Sequence, residues 1–318
     1  MKLSVMVEVQ AGLTWSRWSE LTATAERLGF AGIFLSDHFG DGDRDTIETV
    51  TALTHLASHS ESIRFGTLVS PLSFRDPIML ARQAVAINNL SRGRMVLGIG
   101  AGWEDGEHSR FGYTLGDVNT RMDRLEEGAH LIHELLHTDV PITFEGRFFR
   151  VQNGLLPRAQ QAIPLMIGGS GPKRTLPIVA KYADIWNSLA DSATLFKERS
   201  MMLDELIQAA GRKPSDVKRS VFMPVCCWRD SEEKEEALAF MKKSSRFSGK
   251  SSDEVFDLLT KEAWIIMGSP DSIVEQLNMY REAGAEEFMM MSVTGSERPD
   301  YLEKLASHVL PYFATNHP

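Results

Sequence analysis

Asp37 and His38 stand side by side in "LSDHFGDG" (35–42), at the end of the apolar run "AGIFLS" (31–36). A strand interior has no use for two ionisable neighbours, so the pair belongs where a strand ends. Histidine can donate or accept a proton near neutral pH. A carboxylate can accept a hydrogen bond from a ligand N–H. The competing reading is a turn or helix cap, with Asp37 serving the backbone of "HFGDGD".

A second cluster is "GGSGPKRTL" (168–176). Gly168, Gly169, Ser170 and Gly171 close an apolar run, and a helix is expected from Pro172. Such a turn lets backbone N–H groups approach an anion, and the helix N-terminus adds favourable potential. Lys173 and Arg174 add positive charge to a chain of net charge -9. This reads as a phosphate site, with a plain strand-to-helix turn as the alternative. The G-x-x-x-x-G-K-[ST] spacing of a P-loop is absent. "GIGAGW" (98–103) contains G-x-G-x-G, but its third glycine comes too early for a dinucleotide fingerprint. The polar residues 104–108 that follow open no apolar helix. These glycines are read as letting a flat ligand approach the strand, with Trp103 beside it. Loop packing is the other reading of Trp103.

The elements that must position these groups follow from periodicity. Strands are expected at 3–7, 31–36, 63–70, 95–100, 164–171, 183–188, 218–228 and 286–292. Between them, apolar residues recur at helical spacing, as in Trp18, Leu21, Ala25 and Leu28 before Gly29. Asp76 caps a helix with Pro77 in its first turn, and Ser269–Pro270 starts another. Further helices are expected at about 118–137 and 192–210, and "ITFEGRFFRVQNG" (142–154) reads as a surface hairpin. Eight strand–helix units imply a (β/α)8 TIM barrel, with a doubly wound sheet as the rival. One domain over 1–318 is expected, with insertions at about 139–163 and 231–262.

In such a barrel, chemistry gathers at the C-terminal ends of the strands. That filter keeps Glu8, Gln10, Asp37, His38, Ser70, residues 103–108, the glycine cluster, Asn187 and residues 226–228. His130, His133 and His137 share a helix face, but an outer helix lies far from the mouth, so packing is preferred to metal binding. Adjacent Cys226 and Cys227 cannot easily bridge, and a reducing compartment follows. The negative charge argues against nucleic acid and anionic lipid as partners. The N-terminal apolar run is too short for a signal peptide, and no run approaches a membrane span, so a cytoplasmic protein is expected.

Several stretches together carry a resemblance: "AERLGFAGIFLSDHF", "FGTLVSPLSFRDPIMLARQAVAINNLSRGRMVLGIGAGWEDGEHSRFGY", "FEGRFFRV", "PLMIGGSGPKRTLPIVAKYADIWN" and "GSPDSIVEQLNMYREAGAEEF". Across almost its whole length the chain resembles the bacterial luciferase-like superfamily, and within it the oxidoreductases that use the deazaflavin coenzyme F420. The resemblance implies a barrel with an insertion and a homodimer. It places Asp37 at the polar ring of the cofactor and His38 at the reacting carbon or the substrate. Leu68–Val69 would be a non-prolyl cis peptide behind the ring. Gly168, Gly169, Ser170 and Gly171 would take the cofactor phosphate, with Lys173 and Arg174 near its acidic tail. Some relatives place a glutamate directly after the strand-four glycines. Here that place is held by Trp103, and the nearest acids are Glu104 and Glu107, so sugar-phosphate chemistry is not carried over. Glu107 and His108 become candidates for substrate or ring contact.

The expected activity is hydride transfer between F420 and a small organic substrate, with His38 handling the proton and the protein supplying orientation. The alternatives are an FMN-dependent monooxygenase of the same superfamily, with a partner reductase, and a cofactor-binding protein without turnover. A phosphosugar lyase ranks last, since no strand-end lysine suggests a Schiff base.

Overall fold

The computed structural model describes residues 1–40, 42–189, 192–243, 247, 249–262, 265–293 and 299–313. Its strands are β1 (Lys2–Val7), β2 (Gly32–Leu35), β3 (Arg64–Thr67), β4 (Ser70–Pro71), β5 (Met95–Gly100), β6 (Ile142–Glu145), β7 (Arg150–Gly154), β8 (Leu165–Gly168), β9 (Ile185–Ser188), β10 (Lys218–Cys227), β11 (Ile266–Gly268) and β12 (Glu287–Ser292). The helices are α1 (Trp15–Arg27), α2 (Thr49–His59), α3 (Pro77–Leu90), α4 (Asp105–Phe111), α5 (Val118–His137), α6 (Thr175–Tyr182), α7 (Ala193–Ala209), α8 (Ser231–Met241), α9 (Ser252–Glu262), α10 (Pro270–Glu282) and α11 (Pro299–His308).

Eight parallel strands, β1, β2, β3, β5, β8, β9, β10 and β12, pair in a ring. β10 bonds to both β9 and β12, which closes it. The fold is therefore the (β/α)8 barrel, and the doubly wound alternative is excluded. Side chains alternate along each strand. Met6, Phe34, Val96, Met166, Ile185 and Met289 fill the barrel interior. Their neighbours Val5, Ile33, Leu97, Ile167, Phe288 and Met290 pack under the helices. Burial on both faces explains why the strands read as unbroken apolar runs. At the N-terminal end of the interior, Glu287 accepts from Ser4 at 2.5 Å and from Arg64 at 3.1 Å, so the barrel opens at its other end.

Local signals act as read. Asp76 accepts from the Met79 N–H at 2.8 Å and caps α3 at Pro77. Trp18 is fully buried, and its indole N–H donates to Ala52 O across α1 and α2. The hairpin β6–β7 stands apart from the barrel sheet. Helices α8 and α9 build a satellite core with Cys226, Leu238, Met241, Val255 and Leu259. Cys226 and Cys227 are both free thiols, which burial pushes up to about 12 and about 11 respectively.

Two expectations need correction, and two elements had not been read. The third strand is not continuous over 63–70: it stops at Thr67 and resumes as β4 after the cis Leu68–Val69 peptide. The helix expected from Pro172 begins at Thr175, because residues 172–174 form a turn. After the β5 glycines, residues 105–111 form the short α4, not an apolar helix but one whose polar outer face hid the burial of Glu107 and His108. An extra parallel strand, β11, pairs with β10 outside the ring.

Candidate active site at the barrel mouth

A cavity of about 460 Å³ opens at the C-terminal ends of the strands. Its floor is apolar: Leu68, Val69 and Pro71 from the β3–β4 bend, with Met6 and Phe222 from the interior. Gly100 and Gly168 flank Val69. A Cβ on Gly100 would lie 2.6 Å from Val69 Cγ2, and one on Gly168 would lie 3.0 Å from Val69 Cγ1. Gly98 faces a harder obstacle, since its Cβ would lie 2.0 Å from Thr67 O. The glycines of "GIGAG" therefore admit the neighbouring 67–73 segment, and Gly100 and Gly102 also line the cavity where a ligand was expected to approach.

His38 follows β2 and is fixed by Glu107 of α4. Its Nδ1 lies 2.9 Å from Glu107 Oε1, and the Phe39 N–H donates to Glu107 Oε2 at 3.0 Å. Both oxygens of a carboxylate that is 5% exposed thus brace the segment carrying His38. Nε2 is the ring nitrogen left for a ligand. Burial alone would lower the His38 pKa. The Glu107 hydrogen bond and the charges of Glu107, Asp37 and Glu8 outweigh it and raise the value above the ordinary one. Burial likewise opposes ionisation of Glu107, but the His38 bond, the Phe39 N–H and the charges of His38 and His108 hold its pKa low. Both directions favour the charged form of each partner.

Asp37 also lines the cavity and is 2% exposed. Its Oδ2 accepts from Ser70 Oγ at 2.5 Å and from Arg75 Nε at 2.9 Å, and its Oδ1 accepts from Arg75 Nη2 at 2.6 Å. Oδ2 thus accepts two bonds and Oδ1 one, which leaves a lone pair on Oδ1 for a ligand. Arg75 also reaches Glu48 at 2.8 Å, and these anions outweigh burial and raise its pKa. Arg75 was not singled out in the sequence. "SFRDP" shows there only the Asp76 cap, and its side chain reaches back to β2 across 38 residues.

Trp103 lies at the rim, 67% exposed, with its ring edge-on to His38 at 5.8 Å between centroids. Glu8, Asn187 and Leu189 complete the wall. His108 does not line the cavity. Its Nδ1 lies 2.6 Å from Glu104 O and its Nε2 2.7 Å from Ser73 Oγ, so it anchors α4.

In the glycine turn, Gly168, Gly169 and Thr175 line the cavity. Ser170, Gly171, Lys173 and Arg174 lie beyond it. Gly169 needs its φ of +128°, and its N–H is spent on Asn187 O at 3.0 Å. Ser170 Oγ is 2.9 Å from Ser188 Oγ and also accepts from the Leu189 N–H. Arg174 turns to Asp123 at 2.6 Å. Lys173 makes no ion pair among the described residues. The backbone N–H groups of Ser170, Gly171, Lys173 and Arg174 have no partner among the described residues, ahead of the N-terminus of α6. Such a row of donors suits a phosphate. An apolar floor for a flat ring and free N–H groups at one rim together fit a phosphorylated flavin-type cofactor.

The family model described as luciferase-like monooxygenase matches residues 2–287. An F420-dependent glucose-6-phosphate dehydrogenase of Amycolatopsis mediterranei is 26% identical over 318 residues, covering 92% of this chain and 92% of its own. Among solved structures, an F420-dependent secondary alcohol dehydrogenase in complex with an F420-acetone adduct superposes with a TM-score of 0.79 at 19% identity, covering 98% of both chains. A monooxygenase from Streptomyces bottropensis superposes with a TM-score of 0.80 at 18% identity, covering 99% of this chain and 100% of its own. These two structures share the fold.

Proposed function

The chain belongs to the luciferase-like monooxygenase family, and from that premise we propose that it is an oxidoreductase transferring hydride between coenzyme F420 and a small organic substrate. The observation that carries this reading is the His38–Glu107 pair, 2.9 Å apart, facing a cavity floored by Leu68 and Val69. When bound, the deazaflavin supplies or takes up the hydride at a ring carbon. The chain's own residues do the rest.

Leu68 and Val69 would support one face of a bound ring, Asp37 would meet its polar edge, and Trp103 bounds the rim. The glycine turn would hold the cofactor phosphate through the N–H groups of Ser170 and Gly171, with Gly168 and Gly169 lining the approach to it and Lys173 and Arg174 toward the acidic tail. His38 Nε2 holds the proton that a substrate oxygen gains on reduction or gives up on oxidation. Glu107 keeps that imidazole charged and oriented. The floor and the pair together hold the reacting groups in register and shield them from water. The family reading brings a homodimer, and the sequence reading a single domain with two insertions and a cytoplasmic setting. Among the described residues, no helix is long and apolar enough to cross a membrane.

Titration with F420 and, separately, with FMN tests the cofactor, with tryptophan fluorescence as the readout. Trp103 at the rim is one of six reporters. F420 is expected to bind at least about tenfold more tightly than FMN. Preference for FMN would turn the reading into a flavin monooxygenase with a partner reductase. Binding of neither would overturn the cofactor site.

A further inference from the structure

We propose that the substrate of this site is an uncharged, largely apolar carbonyl or alcohol compound, and not a phosphorylated or carboxylated one. This rests on the hydride-transfer reading above and narrows it.

The charged side chains lining the cavity are Glu8, Asp37, Glu107 and His38; no lysine or arginine lines it among the described residues. The cations nearby are committed elsewhere. Arg75 is spent on Asp37 and Glu48. Arg121 donates to Gly102 O at 2.9 Å, and Arg124 to Thr114 O and Leu115 O. Lys173 stands at the glycine turn, where the cofactor phosphate is placed. An anionic substrate beside His38 would therefore meet Glu8, Asp37 and Glu107, and the one basic side chain on the described wall, His38, is already paired with Glu107. Recognition of a phosphate depends on charge-assisted donors of the kind this wall does not offer.

What the mouth does offer is apolar surface. Trp103 is 67% exposed and Leu189 50% exposed, and both line the cavity. They come from different loops, those after β5 and β9. Two large apolar side chains held at the rim of a polar-centred cavity gain when an apolar body covers them. His38 Nε2 then serves a single oxygen on that body. This differs from the relative in Amycolatopsis mediterranei, whose name gives it glucose 6-phosphate.

Isothermal titration of the protein saturated with F420 decides the matter. Benzyl alcohol and benzyl phosphate share one ring and differ in the phosphate; glucose 6-phosphate is the third probe. Benzyl alcohol is expected to bind at least about tenfold more tightly than benzyl phosphate, with no heat from glucose 6-phosphate at the same concentration. Trp103→Ala, with F420 still saturating, should weaken benzyl alcohol about tenfold. Tighter binding of either phosphate, or no heat from any of the three probes, overturns the proposal. If F420 itself fails to bind, the hydride-transfer reading falls instead. The same titration on the protein alone then still decides the charge preference of the cavity.

Discussion

A histidine tied through Nδ1 to a buried carboxylate keeps its proton to higher pH than a free one, and that sets the pH dependence of turnover. The His38 pKa lies above its ordinary 6.5. In the reducing direction His38 must start protonated. The kcat should hold below pH 6.5 and fall as pH rises through the raised value. Glu107→Gln removes the charge and should move that alkaline limb to lower pH. A pH–rate profile checks this, and an unmoved limb would free Glu107 from the role. His38→Ala should lower kcat about 10²-fold or more while F420 affinity changes little, as steady-state kinetics and titration would show. Arg75 governs stability instead. Arg75→Ala leaves Asp37 buried beside Ser70 alone and should cost about 3 kcal/mol in urea unfolding. Adding Asp37→Asn should recover part of that loss. Asp37 and His38 were legible because ionisable residues at the end of an apolar strand have few other reasons to be there, whereas Glu107, on α4, was reached only as one of the acids after strand four. Arg75 was not, since nothing local marks a side chain whose partner lies on another strand.

At the level of elements, the barrel strands were legible because burial on both faces makes each one an apolar run between turn signals. Helix α4 was not legible, because periodicity detects an apolar face and α4 buries Glu107 and His108 in place of one. The break between β3 and β4 does not show in residue types, since Leu68 and Val69 are as apolar as a strand, and only the resemblance pointed to a cis peptide there. The glycines of β5 record that bend indirectly. Gly98→Ala places its Cβ 2.0 Å from the Thr67 carbonyl oxygen, which is backbone and cannot rotate away. Gly100→Ala meets Val69 Cγ2 at 2.6 Å, a side chain that can shift. Denaturant unfolding should therefore show Gly98→Ala costing about 3 kcal/mol or more and Gly100→Ala about 1–2 kcal/mol. Because Val69 is cavity floor, Gly100→Ala should still weaken F420 binding measurably. Equal stability loss in the two variants would contradict this account of why β5 carries glycine.

For the whole molecule, stability against pH follows from groups whose ionisation the fold favours. Burial opposes ionisation of Glu26, but its carboxylate accepts from the N–H groups of Glu61, Ser62 and Ile63, and those bonds lower its pKa. In this way it ties α1 to the start of β3. Glu48 and Glu107 are lowered too, by Thr51 and Arg75 and by His38, each against the cost of burial. A lowered carboxylate contributes stability that is present above its unfolded value and lost as pH falls through the folded one. The raised His38 works in the opposite sense: its contribution is full below 6.5 and lost as pH rises through the folded value. The net charge of -9 at pH 7 adds self-repulsion that eases on mild acidification. All three effects place maximum stability on the mildly acidic side of neutrality, at about pH 5–6.5. Calorimetric Tm should peak in that window, decline gently toward alkaline pH and fall steeply below about pH 4.5. Glu26→Gln should lower Tm at pH 6 and flatten the acid limb, because the amide oxygen still accepts hydrogen bonds but no longer titrates. A Tm that keeps rising toward pH 8 would mean that these groups do not control the stability of the barrel.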